Sequence, residues 1–299
     1  MCRERKQGAR GRRRAPARRR GRDDAGGHGR AAAAGPGAGN GDEGRNITVR
    51  HRLQHTSGIL DADWPPMGTQ ERYLARRYDA RTPEETVALA MAAEPESAPG
   101  AEWHSSNTGY VLLGVIIERG TGNARHEEVH ARALRPAGMR HTVWPGDRPG
   151  LPHPHAQGYP RFAAGGPLVN TTELADADAS GGYLSTTADL NRFLRALFDG
   201  ALMDEAGLAE MRRTVPVDEL TQRIWPGAEY GLGLFSRPLP CGGTAWIPSG
   251  DEIGYSTRTA VTQDGSRSGV ISVSTQQYDS FDSALAQERL VSRLVDDAL

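Results

Sequence analysis

Lysine is nearly absent from this 299-residue chain: Lys6 stands alone among 36 basic residues, the rest being arginine. Chemistry that needs a lysine as proton acceptor or Schiff-base former must use Lys6 or do without. Cysteine is scarce too, with only Cys2 and Cys241. That excludes a disulfide framework, and a stable bridge between these two is not expected. No apolar run approaches the roughly 18 residues of a membrane helix. The N-terminus is charged and lacks an apolar centre, so it does not read as a secretory signal; taken literally, the chain stays in the cytosol. Residues 1–45 contain no Val, Leu, Ile, Phe, Tyr or Trp, and no serine precedes Ser57.

The net charge of −1 averages two unlike parts. Residues 1–45 carry 13 Lys/Arg against 5 Asp/Glu, leaving 23 against 32 for the remainder, so a basic arm precedes an acidic body. With nothing to bury, the arm reads as disordered, because no apolar contact offsets the entropy of ordering it. Its basic residues could hold nucleic acid or anionic lipid. The same Arg, Ala, Gly and Pro composition arises when a GC-rich gene is translated in a wrong frame or from a misplaced start. We weight that reading above nucleic-acid binding, and the lack of aromatics argues further against a single-strand binder.

From residue 46 the local grammar changes. Thr82, Pro83 and Glu85 form a capping box with proline at the first helical position, opening a helix through TVALAMAA. A second helix is expected from Asn107–Thr108 through YVLLGVIIER, with Gly120 as its stop. Leu190, Phe193, Leu194, Leu197 and Phe198 fall on one helical face that ends at Gly200. Residues 144–170 read as a long surface loop. TAWIP, STRTAVTQ and SGVISVST read as short strands, with Asp264–Gly265 turning the last pair, and a helix is expected over about 281–298. The expected fold class is α+β, with a helical lobe over about 60–225 and strands plus a helix over 226–299.

Four segments, in order, carry a resemblance: ITVRHRLQHTSGILD, HSSNTGYVLLGVIIERGTG, ASGGYLSTTADLNRFLRALFDG and IPSGDEIGYSTRTAV. They resemble the serine β-lactamase and penicillin-binding superfamily, in particular its class C-like D-alanyl-D-alanine carboxypeptidases and esterases. The resemblance spans about residues 46–299, and YGLGLFSRPLPCGG brings it nearest the secreted actinomycete carboxypeptidases. It implies an antiparallel sheet flanked by helices, a helical lobe, no cofactor and no metal. It also implies a peptide or β-lactam-like ligand, and relatives that are secreted or at the cell envelope. The parental reaction would be serine attack on a D-alanyl peptide, ester or lactam carbonyl through an acyl-enzyme. In such proteins the HTSG elbow braces the floor of the site, so Ser57 is not expected to be catalytic.

Three motifs carry the chemistry of such enzymes, and all three are altered here. Ser-x-x-Lys places a nucleophile and its proton acceptor one helical turn apart. It is absent, because the residue three before Lys6 is Arg3. The N-terminal part of the sheet lobe is missing with it. Tyr-x-Asn becomes Ser105-Ser106-Asn107: Asn107 matches the substrate-orienting amide, while Ser105 stands where the tyrosine belongs and is too short to relay a proton. The bland reading of Asn107 is a helix cap. The basic residue of His-x-Gly becomes Pro248, followed by Ser249 and Gly250 as candidate substrate contacts. Asp251 next to them would repel a substrate carboxylate. The chain is therefore expected to be a silent hydrolase, with a peptide- or muropeptide-binding module as the alternative.

Other chemistry is weaker. His51/His55 and His126/His130 have i, i+4 spacing, and HEEVH fits a zinc-protease string, yet accepting it means abandoning the four-segment match. Cys241 sits in a Pro/Gly turn without an evident base; the resemblance implies pairing with a cysteine beyond Leu299. Loss of a central helix would expose several apolar side chains, each worth about 1.5–3 kcal/mol when buried. A molten or poorly soluble chain is the expectation, which a cooperative melt with a sharp near-UV spectrum would contradict.

Overall fold

A computed structural model describes residues 44–62, 69–175, 177–277 and 279–299. Residues 1–43 lie outside it, and with them the reading of the arm as disordered.

The helices follow local sequence signals. Thr48 caps α1 (Val49–Leu53) in a capping box with His51, and Thr69 caps α2 (Gln70–Arg76). α3 (Pro83–Met91) has the Thr82–Glu85 capping box read from the sequence. α4 (Asn107–Thr121) differs at both ends from expectation. Ser106 is its N-cap, because that residue is extended and its hydroxyl accepts from Gly109 N. The helix runs through Gly120 and stops at Gly122, whose φ of 75° is the left-handed turn a C-cap needs. α5 (Arg125–Val129) passes through one π turn, His130–Leu134, into α6 (Arg135–Ala137). The expected loop over 144–170 contains a short strand, β1 (Tyr159–Arg161), paired in parallel with β9 (Thr275–Gln277). α7 (Thr187–Phe198) then buries Leu194, Leu197 and Phe198 as the periodicity required.

α8 (Glu205–Met211) and α9 (Glu219–Ile224) flank β2 (Val215–Pro216) and precede the main sheet. That sheet runs β2, β3 (Glu229–Tyr230), β4 (Phe235–Pro238), β5 (Thr244–Ile247), β7 (Tyr255–Thr262) and β8 (Ser268–Val273), all antiparallel. β6 (Ser249–Glu252) pairs with β7 in the same register as β5: Trp246 faces Val261 and Ser249 faces Arg258. The two strands are therefore one ribbon interrupted at Pro248, which has no N–H for the ladder. Thr259 Oγ1 bonds the Pro248 carbonyl at the break.

Both faces of the sheet are covered. On one, Leu194, Leu197 and Phe198 of α7 meet Trp246, Val261 and Val270. On the other, Val295 and Leu299, of and just beyond α10 (Phe281–Ala298), meet Ala245, Ile247, Ala260 and Ile271. Among the described residues β8 has β7 as its one ladder partner. Leu290 and Leu294 on α10 are about half exposed, at 51% and 50%. The α+β architecture is as expected, and the expected strands and final helix fall where the sequence put them.

Candidate active site

The elbow is built by backbone demands. His55 has φ of +58°, a conformation uncommon outside glycine, and it turns the chain out of α1. Gly58 follows at φ of +74°, and a Cβ there would lie 1.9 Å from the Ser97 carbonyl oxygen. Only glycine fits that approach. The Thr56 carbonyl accepts from Gly100 N at 2.7 Å and the Gly58 carbonyl from Glu96 N at 2.9 Å, tying the elbow to the loop before α4. Ser57 is buried, and its Oγ accepts from Ile59 N at 3.3 Å. It serves the turn and is closed to a substrate.

His55 does more than turn the chain. Its carbonyl accepts from His104 N at 2.9 Å, and its Nδ1 accepts from Ser106 N at 3.1 Å. The ring proton therefore sits on Nε2. Trp103, Tyr110 and Tyr230 surround the ring, with centroids 5.8, 5.1 and 4.9 Å away. This burial lowers its pKa to about 4, so His55 is a neutral acceptor at physiological pH. Ser105 and Asn107 flank the buried Ser106 and are both exposed. Among the described residues the Ser105 hydroxyl has no hydrogen-bond partner, and the nearby His104 Nε2 lies 3.0 Å from Glu102. Asn107 does not cap the helix: its Nδ2 donates to Asp61 Oδ2 at 3.1 Å.

The strand segment is held differently. Residues paired across an antiparallel ladder share a face, so Ser249 lies on the Arg258 side, toward α10, and its buried Oγ lacks a partner among the described residues. Pro248 and Gly250 take the opposite face. A Cβ added at Gly250 would meet nothing within 4 Å, so packing does not demand glycine there. The expectation that Asp251 repels carboxylates needs correction, because Arg258 grips it in a fork of 3.0 and 2.9 Å. Arg258 Nε also donates to Glu288 at 2.8 Å, and Glu288 accepts from Trp225 Nε1 at 2.8 Å. Burial disfavours the Arg258 cation, but Asp251 and Glu288 outweigh it and hold the guanidinium charged. Trp103, Tyr230, Phe235 and Trp225 form an aromatic layer between this network and the elbow.

The structure thus brings Ser105 and Asn107 together on one segment and Ser249 and Gly250 on another, joined through that layer. Sequence reading missed Asp61, Arg258, Glu288 and the donor-accepting role of His55. The final Asp of HTSGILD was the available signal for the first. His126 stacks near Trp144, 6.3 Å between centroids, while Glu128 bonds Asn123 and Arg132; HEEVH is split by the start of the π turn. Cys241 is exposed in the turn after Leu239, and Leu239 packs in one cluster with Leu299.

A family model described as Beta-lactamase matches residues 14–293. This chain belongs to the β-lactamase family. Among solved structures it is similar to a D-stereospecific amidohydrolase from Streptomyces sp., with a TM-score of 0.79 and 34% identity over 90% of this chain and 78% of that one. A D-amino acid amidase from Ochrobactrum anthropi SV3 matches with a TM-score of 0.66 and 25% identity, covering 84% and 73%. Penicillin-binding protein 4* of Bacillus subtilis is 28% identical over 225 residues, 71% of this chain and 48% of that protein. The chain spans about half the length of the curated relatives it matches, 48% and 44% for the first two. Among the described residues no helix is long and apolar enough to cross a membrane.

Proposed function

We propose that this β-lactamase-family chain binds D-aminoacyl peptides or amides, or β-lactams that resemble them, without performing acyl transfer. The observation that carries this reading is the lone Lys6, with Arg3 three residues before it and no serine before Ser57. A serine hydroxyl attacks a carbonyl only when a base within hydrogen-bond reach takes its proton. Among the described residues no base bonds Ser105, Ser57 is buried in the elbow, and Pro248 cannot ionise or donate. What supports binding is that Asn107 is held at the surface and that Gly250 opens onto free space. Two of the similar proteins are named as a D-stereospecific amidohydrolase and a D-amino acid amidase, and a third as binding penicillin, itself a lactam. Carboxypeptidase-like specificity fits that class.

The test is incubation with a chromogenic β-lactam, an N-acyl-D-alanyl-D-alanine and D-phenylalanine amide. The expected result is no product, no covalent mass increase, and saturable calorimetric binding of at least one compound. An acyl adduct on any serine would overturn the silent reading, and peptide mapping would locate the nucleophile. Absence of binding by all three would overturn the binding reading. Ser105→Tyr combined with Pro248→His is expected to remain inactive, because the serine–lysine pair is still missing.

A further inference from the structure

Asp61 ends the elbow with a carboxylate that forms no ion pair among the described residues. Its partners are donors at the start of α4. Oδ1 accepts from Thr108 N at 3.0 Å and from Thr108 Oγ1 at 3.3 Å, and Oδ2 accepts from Asn107 Nδ2 at 3.1 Å. Thr108 Oγ1 itself accepts from Ala62 N at 2.9 Å, so its proton is free for Asp61. Burial, with Asp178 nearby, raises the Asp61 pKa, and the bonds from Thr108 and Asn107 work against that rise.

An ionised carboxylate can only accept. Asn107 must therefore turn its NH2 toward Asp61 and its carbonyl oxygen away. That oxygen sits on an exposed residue and has no partner among the described residues. We infer that Asp61 is a positioning residue that fixes the polarity of Asn107, so that the site offers a hydrogen-bond acceptor there and selects ligands presenting an N–H. The amino or acylamino group of a D-aminoacyl compound has that chemistry; the inference to this ligand rests on the function proposed above. Without Asp61 the amide could rotate about its terminal torsion and present either end.

Asp61→Asn gives an inverted arrangement. The new side-chain oxygen stays with Thr108 N, the new NH2 faces Asn107, and Asn107 must reverse to meet it. The experiment compares calorimetric binding of N-acetyl-D-alanine amide with that of its analogue methylated on the acylamino nitrogen. The intact chain is expected to bind the methylated probe about tenfold or more weakly, since a lost donor leaves the Asn107 oxygen unpaired. In Asp61→Asn the ratio is expected to fall to about one or reverse, a change that a merely structural role would not produce. The ligand-free readout is the Asn107 side-chain NH2 in a 15N–1H spectrum, expected to be protected from exchange in the intact chain and displaced in the variant.

A methylation ratio near one in the intact chain overturns the inference, even if the variant does not fold. So does an equal ratio in both proteins, or an Asn107 NH2 signal that the substitution leaves unmoved. Failure of both probes to bind the intact chain overturns the D-aminoacyl reading instead, while the NH2 signal still decides whether Asp61 holds Asn107.

Discussion

The segment at 103–108 and the strand at 248–252 carry the residues proposed for the site, and they are held by opposite means. The first hangs on side chains of the elbow that grip backbone groups: His55 takes the N–H of Ser106, and Asp61 takes that of Thr108. The second rests on a sheet ladder stiffened by the buried charges of Arg258 and Glu288, with the exposed Asp251 as a further partner of Arg258. The scaffold therefore does not depend on which side chain stands at 105 or 248. The two segments should nonetheless fail under different insults, one through loss of a neutral acceptor, the other through loss of a counter-charge.

The sharpest break is Glu288→Ala. It strips Arg258 and Trp225 of a buried partner, and removing one member of such a pair costs about 3–5 kcal/mol. Urea unfolding should show that loss, whereas a loss below about 1 kcal/mol would mean Asp251 alone suffices for Arg258.

The elbow should respond to acid. His55 binds a proton less readily when folded, at a pKa of about 4, than in the unfolded chain at 6.5. Its stabilising contribution is therefore complete above about pH 6.5 and is lost as pH falls toward about 4. The full loss is about 3 kcal/mol. His51, partly buried, is lowered as well and adds in the same direction. Denaturant midpoints across this window should fall for the intact chain and flatten for His55→Asn; an equal slope in both would separate the acid response from His55.

Ser106→Ala removes the cap of α4 and should cost about 1 kcal/mol in the same assay. The smallest effect is the most telling for the comparison. Ser105→Tyr should change stability by no more than about 0.5 kcal/mol, because the residue is exposed and its support runs through neighbouring backbone. A large change there would mean that side chain and scaffold are coupled after all.

Much of the fold was legible because its signals are local. The capping box at Thr82, the apolar stripe of α7 and the Asp264–Gly265 turn each need only a few residues in sequence. The cap of α4 was misplaced by one residue because serine and asparagine are comparable caps, and only the extended backbone of Ser106 separates them. β4 and β6 were missed since FSRP and SGDE carry no clear alternation; their pairing comes from neighbours. In the candidate site, Ser105, Asn107, Ser249 and Gly250 are proposed from motif position alone. Arg258 and Glu288 were not legible, because a buried ion pair between a strand and a distant helix leaves no periodic trace. Asp61 was hidden for a similar reason: its partners lie at the start of a helix far along the chain.

The interrupted ribbon formed by β5 and β6 has a consequence at the level of the codon. Since Trp246 and Ser249 keep one register on β7 across Pro248, the interruption is confined to that residue. A proline codon and a histidine codon differ by a single base, and a residue with an N–H could re-enter the ladder at 248 without moving its neighbours. The break is thus one codon wide, and a one-base change there would show whether the ladder closes across 248.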